Sequence, residues 1–299
     1  MSGADQTISR REFLRSTAGI TLAAATGIGW QAAAQEGPPP KTRIVLVRNA
    51  NVLGASGKIN EAVLNHMLDE AVVAFCGAAE ATAAWKTLIA PKDIVGIKSN
   101  GWKPLSTPPE LEQALKNRVQ AAGVPEVNIA VGDRGVLSHP VFQKATALIN
   151  VRPLRTHHWS GVGGCIKNYI QFVPAPWEYH DEYCTPLASI WGLPLVKGKT
   201  RLNILVLLQP LFYGIGPHHY DRSYVWNYCG LLVGADPVAL DSVGVQLIMA
   251  KRREHFKEER PLTPPAVHIL RADTKYGLGT ADPAKIDVVK LGWTDGALI

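Results

Sequence analysis

Short apolar runs alternate along this chain with segments whose apolar residues recur at helical spacing. Residues 43–47 (RIVLV), 93–97 (DIVGI), 127–131 (VNIAV), 148–155 and 202–208 (LNILVLL) have the length and apolar content of buried strands. Residues 60–85 keep helical spacing through Val63, Met67 and Val72. Residues 107–110 (TPPE) open a second helix, with Thr107 as cap, Pro108 at the first position and Glu110 closing a capping box; Gly123 ends it. Residues 231–234 lead into a third helix over 237–255, capped by Asp236 with Pro237 in its first turn. This alternation predicts an α/β fold, a mixed and mostly parallel sheet with helices on both faces. Residues 43–299 are expected to form it, as one domain or as two lobes.

The N-terminus follows a different pattern. Residues 9–15 (SRREFLR) hold the pair Arg10 and Arg11 followed by Phe13 and Leu14, as in a twin-arginine export signal. A weakly apolar run over 16–30 and the small residues Ala32, Ala33 and Ala34 complete the three-part signal pattern. Residues 1–34 therefore read as a signal peptide and 35–42, with Gly37 and three prolines, as a linker. The apolar run is shorter than the roughly 18–20 residues of a bilayer-spanning helix, so the mature form is expected to have no membrane span. The twin-arginine translocase is the expected partner and the periplasm the expected location. That route carries folded proteins, many already loaded with a cofactor, which raises the expectation of a bound metal.

Charge and cysteines narrow the classes further. The formal charge of +6 falls to +5 without the signal, and basic residues are scattered apart from Lys251, Arg252 and Arg253, which face Glu254, Glu258 and Glu259. No nucleic-acid partner is expected. The four cysteines, Cys76, Cys165, Cys184 and Cys229, form no C-x-x-C, which excludes an iron–sulfur or zinc site built from local pairs. An exported protein could still join them as disulfides in any of three pairings.

Candidate chemistry collects at strand ends, where open α/β sheets bind ligands. Lys98 and Asn100 follow the second strand, Asp133 the third, His157 and His158 the fourth, and His218 and His219 the fifth. In "THHWSGVGGCIKNY", the residues Gly161, Gly163 and Gly164 would let backbone approach a ligand, and the N–H groups of a following helix would bind an anion beside Lys167. The same glycines also read as a plain tight turn. The spacing is neither a Walker A loop nor a dinucleotide fingerprint, so no nucleotide cofactor is expected. Adjacent strand residues face opposite ways, so a metal would draw on His157 and one of His218 or His219, with His180 or an acid such as Asp181, Glu182 or Asp221. Such a set suits zinc, iron or copper. Each histidine alone also reads as a hydrogen-bonded loop residue. His66, His139, His255 and His268 read as surface or helix residues. Cys165 reads either as a thiolate nucleophile lowered by a helix start and Lys167 or as a small buried residue. Asp236 has a capping task; Asp241 has none visible in the sequence and is placed with the substrate-binding residues.

"DIVGIKSN", "VGD", "THHWSGVGGCIKNY", "YGIGP", "GADPVALDSVG" and "YGLGTADPAKIDVV" occur in an order that resembles the domain of unknown function 362 family, over residues 41–289. Its exported twin-arginine branch is the nearer likeness. The resemblance carries over Lys98, Asn100, Gly132, Asp133, His157, Gly161, Lys167, Asn168, Gly216, Pro217, Asp236 and Asp241. The chain departs from the pattern at Gly163, where Thr is expected, and at Gln209, near which an acid is missing. Two functions stand as expectations. One is an exported metal-dependent enzyme, oxidoreductase or hydrolytic, acting on a small anionic substrate. In it His157, Lys167 and Asp133 are catalytic, Lys98, Asn100, Gly163, Gly164, Asn168 and Asp241 bind substrate, and His157, His180, His218 and His219 supply metal ligands. The other is a non-catalytic periplasmic protein that binds a small ligand or handles a cofactor.

Overall fold

The long apolar runs become the centre of one sheet. In the computed structural model, which describes residues 41–214 and 216–299 without the side chains of Pro217 and His218, seven strands lie in the order β3-β2-β4-β6-β7-β1-β8. They are β1 (Thr42–Arg48), β2 (Val95–Lys98), β3 (Ile129–Gly132), β4 (Ala147–His157), β6 (Thr200–Leu211), β7 (Gly230–Gly234) and β8 (Ile286–Gly292). A three-residue strand, β5 (Gly161–Gly163), folds back antiparallel on the end of β4. Only β7 opposes the others along the main order, pairing antiparallel with both β6 and β1. The fold is α/β with a mixed, mostly parallel sheet. The described residues make one compact unit, not two lobes. The signal segment and most of the linker lie outside the described residues.

Alternation along the strands sends side chains to two separate cores, as a sheet covered on both faces requires. Val45 and Val47 of β1, Ile149 and Val151 of β4, and Ile204 and Val206 of β6 pack under α1 (Glu61–Cys76), α2 (Ala81–Leu88) and α3 (Pro109–Ala121). Ile44, Leu46, Leu154, Leu205 and Leu207 point the other way, toward α6 (Pro237–Phe256). Between these lie the short helices α4 (Pro140–Lys144) and α5 (Cys165–Asn168), and α7 (Val267–Thr274) follows α6.

Two helix expectations need correction. The single helix over 60–85 is two, because Gly77 takes a left-handed conformation (φ 63°) that stops α1. Thr107 does not cap α3. Its hydroxyl accepts from Asn100 N (3.1 Å) and reaches Val151 O (3.4 Å), pinning the loop after β2 to β4 instead. Asp236 does cap α6, accepting from Val238 N and Ala239 N.

Candidate functional site

Because β2, β3, β4 and β6 run the same way, their C-terminal ends and the loops beyond them share one edge. β4 is buried along its whole length, yet it carries Arg152, Arg155 and His157. In a regular strand, Arg152 would face away from Arg155 and His157. A register shift against β6 between Pro153 and Arg155 breaks the alternation, and all three line one cavity of about 160 Å³. Asn100, Asp133, Lys167, Asn168 and His180 line it too, with Trp102 and Trp159.

Lys98 stands behind this wall. It is fully buried, and its ammonium donates to Asp133 Oδ1 (2.6 Å) and Ser99 O (2.7 Å). Gly101 N donates to the other Asp133 oxygen (2.9 Å). Burial pushes Lys98 down to about 8 although Asp133 pulls it up. Burial raises the Asp133 carboxyl, but the Lys98 charge and hydrogen bond and the Gly101 N–H outweigh it and leave it below the usual carboxylate range. Asn168 stitches the same wall, donating to Lys98 O (3.0 Å), Asn150 Oδ1 (2.8 Å) and Val151 O (3.1 Å).

The glycine run has a packing task. Only Gly161 among the three has positive φ (70°). A Cβ on Gly163 would sit 2.7 Å from an Arg152 nitrogen, and one on Gly164 would strike the Asp241 carboxylate. Neither glycine lines the cavity, and neither does Asp241. Asp241 accepts from Cys165 N (2.6 Å) and Ile166 N (2.9 Å) and so anchors the first turn of α5, which orients Lys167. Burial pushes its carboxyl up to about 7. Gly163, Gly164, Asp241 and Lys98 thus support the cavity from outside instead of lining it. The thiolate reading of Cys165 fails: burial, then Asp241, pushes this thiol up. None of the four cysteines is paired.

His157 and His158 do not face opposite ways, because the strand ends there and the rings stack (4.6 Å, 16°). His157 Nδ1 accepts from Trp159 N (3.2 Å), which leaves the Nε2 proton on the neutral ring. Burial, then Lys167 and Arg152, holds this imidazole neutral. His180 packs against Trp159 (4.2 Å) and is pushed down to about 4, first by burial and then by Lys167. His219 is exposed on the short turn Gly216–His219 and is not part of the cavity; the side chain of His218 lies outside the described residues.

The cavity is cationic. Arg155 donates to Leu105 O (2.5 Å) and Asn100 Oδ1 (2.8 Å). Arg152 is 4% exposed, and no hydrogen bond joins its guanidinium to a described residue; its Nε is buried without an acceptor. Among the described residues Lys167, 3% exposed, reaches only Cys184 Sγ, at 3.6 Å. The described residues do not make a metal site: Asp133 is engaged by Lys98 and Gly101, Arg152, Arg155 and Lys167 line the same cavity as His157 and His180, and no three His, Cys, Asp or Glu among the described residues converge on a point. Arg152 and Arg155 are the charged cavity residues that sequence reasoning missed, along with Trp102 and Trp159. Two arginines three apart inside "INVRPLR", an otherwise apolar strand, were the available signal.

No curated protein and no solved structure matches the chain. A family model does match, over residues 50–246, and that span contains every cavity residue named above. Its description is "Domain of unknown function (DUF362)", and the chain, matched over about two-thirds of its length, belongs to that family.

Proposed function

We propose that the chain is an exported protein whose cavity binds a small anionic molecule. One observation carries the reading: Arg152 is a buried charge lining the cavity, its Nε is buried without an acceptor, and no described residue hydrogen-bonds its guanidinium, Asp133 and Asp241 acting on it only through space. A buried guanidinium without a partner is costly, and native interiors rarely keep one. An anion in the cavity would meet Arg152 and Lys167 together, with His157 Nε2–H as a neutral donor beside them. The volume, about 160 Å³, suits a ligand the size of phosphate or a short carboxylate, well below the roughly 300–1,000 Å³ of drug-sized sites. Ligand binding has firmer support here than metal-dependent catalysis, because a cation would enter among Arg152, Arg155 and Lys167 and find Asp133 already engaged.

Titration calorimetry with phosphate, sulfate, acetate and pyruvate tests this. At least one should bind, and Arg152→Met should weaken it by about ten- to a hundred-fold, since charge-assisted hydrogen bonds contribute roughly 1.5–3 kcal/mol. Equal binding by the variant would sink the proposal.

A further inference from the structure

Lys167, which lines the cavity, and Lys98, which stands behind its wall, have different partners. Lys98 is given a carboxylate at 2.6 Å and a carbonyl at 2.7 Å, acceptors that hold its nitrogen in place. Lys167 is given a thiol. That thiol is put there against backbone preference: Glu182, Tyr183 and Cys184 all take left-handed conformations, with φ of 48°, 56° and 66°. L-residues lose roughly 1–2 kcal/mol each in that region, and such strain gathers where a side chain must be held in place. The turn brings Cys184 Sγ to the Lys167 amine where a carboxylate would have fixed a positive charge.

Resting on the anion-binding reading, we infer that Lys167 is a nucleophilic amine that forms an imine with a carbonyl compound carrying a carboxylate, a 2-oxo acid being the smallest fit. Lys167 lines the cavity and has no acidic partner among the described residues, and Arg152 in the same cavity is the carboxylate receptor. Burial, helped by the Arg152 and Arg155 charges and opposed by Cys184, lowers Lys167 to about 8, so a usable fraction of free amine exists near neutrality. The Nζ lone pair attacks the carbonyl carbon, a C–N bond forms, and the carbonyl oxygen takes a proton. The C–O bond of that carbinolamine then breaks, water leaves, and the protonated imine remains. No oxidant or reductant is needed, and water reverses the step. His157 Nε2–H lies in the same cavity as a hydrogen-bond donor to the departing oxygen, whose protons come from the attacking amine and from water.

The test is reductive trapping. The full chain is incubated with pyruvate and sodium borohydride, digested, and the labelled peptide sequenced by mass spectrometry, with acetone as the carbonyl that lacks a carboxylate. Label confined to Lys167, forming at least about ten-fold faster with pyruvate than with acetone, supports the inference. Lys167→Arg, which keeps the positive charge and removes the nucleophilic amine, should lose the label. Mapping the site on the unmodified chain decides the matter even if that variant does not fold. Label spread over surface lysines overturns the inference. So does absence of label while calorimetry shows pyruvate bound, which leaves the anion site standing. Failure of every anion to bind removes both.

Discussion

Replacing Asp133 by Asn removes the counter-charge of a lysine that has no route to solvent. Lys98 is fully buried and the Asp133 side chain is 12% exposed, so screening is weak at this pair. Removing one partner of a buried ion pair destabilises by roughly 3–5 kcal/mol, because the other charge stays behind uncompensated. For a chain of this size that is a fall of about 10 °C in melting temperature. The pH dependence identifies the cause. Lys98 is held near 8 in the fold against 10.5 when unfolded, so between those values the unfolded chain binds more protons and stability contributed by this group rises with pH. In the Asn variant the folded value falls further, and at pH 10 the lysine is neutral. The deficit should then shrink to about 1 kcal/mol, the worth of the lost hydrogen bonds. Urea denaturation followed by circular dichroism at pH 7 and pH 10 measures both numbers. A deficit at pH 7 below about 1 kcal/mol, or one just as large at pH 10, would refute the argument.

Asp241→Asn probes the anchor of α5. The folded carboxyl sits near 7 against 3.8 unfolded, so its contribution is full below 3.8 and disappears as pH rises through about 7. The stability of the parent relative to the variant should therefore decline over that window, and a pH-independent difference in urea midpoints would contradict this. For export, Arg10→Lys with Arg11→Lys should hold precursor in the cytoplasm; fractionation showing normal export of the double variant would remove the twin-arginine proposal.

Much of the fold was legible because its central strands are unbroken apolar runs. β5 was not, since Gly161–Gly163 has no apolar pattern and exists only by pairing with β4. β8 was missed for a related reason: it is an edge strand, half-exposed, and carries Asp287 and Lys290 within it. Within the site, Asn100, Asp133, His157, Lys167, Asn168 and His180 were legible because each follows a strand, opens a helix or sits in a polar loop. Arg152 and Arg155 were not, because the register shift that turns both into one cavity is a property of the β4–β6 pair and not of either sequence. Asp241 looked idle because the amides it binds lie 76 and 75 residues earlier in the chain.

That separation orders events in time. Cys165, Ile166 and Lys167 leave the ribosome long before Asp241, and until α6 is made and docked the first amides of α5 have no acceptor. The lysine's height in the cavity is set only then. A nascent chain halted within the first two hundred residues already owns nearly every cavity side chain and still cannot present them. On the anion-binding proposal, ligand capture is thus a property of the finished molecule, and binding would report that its C-terminal third has arrived.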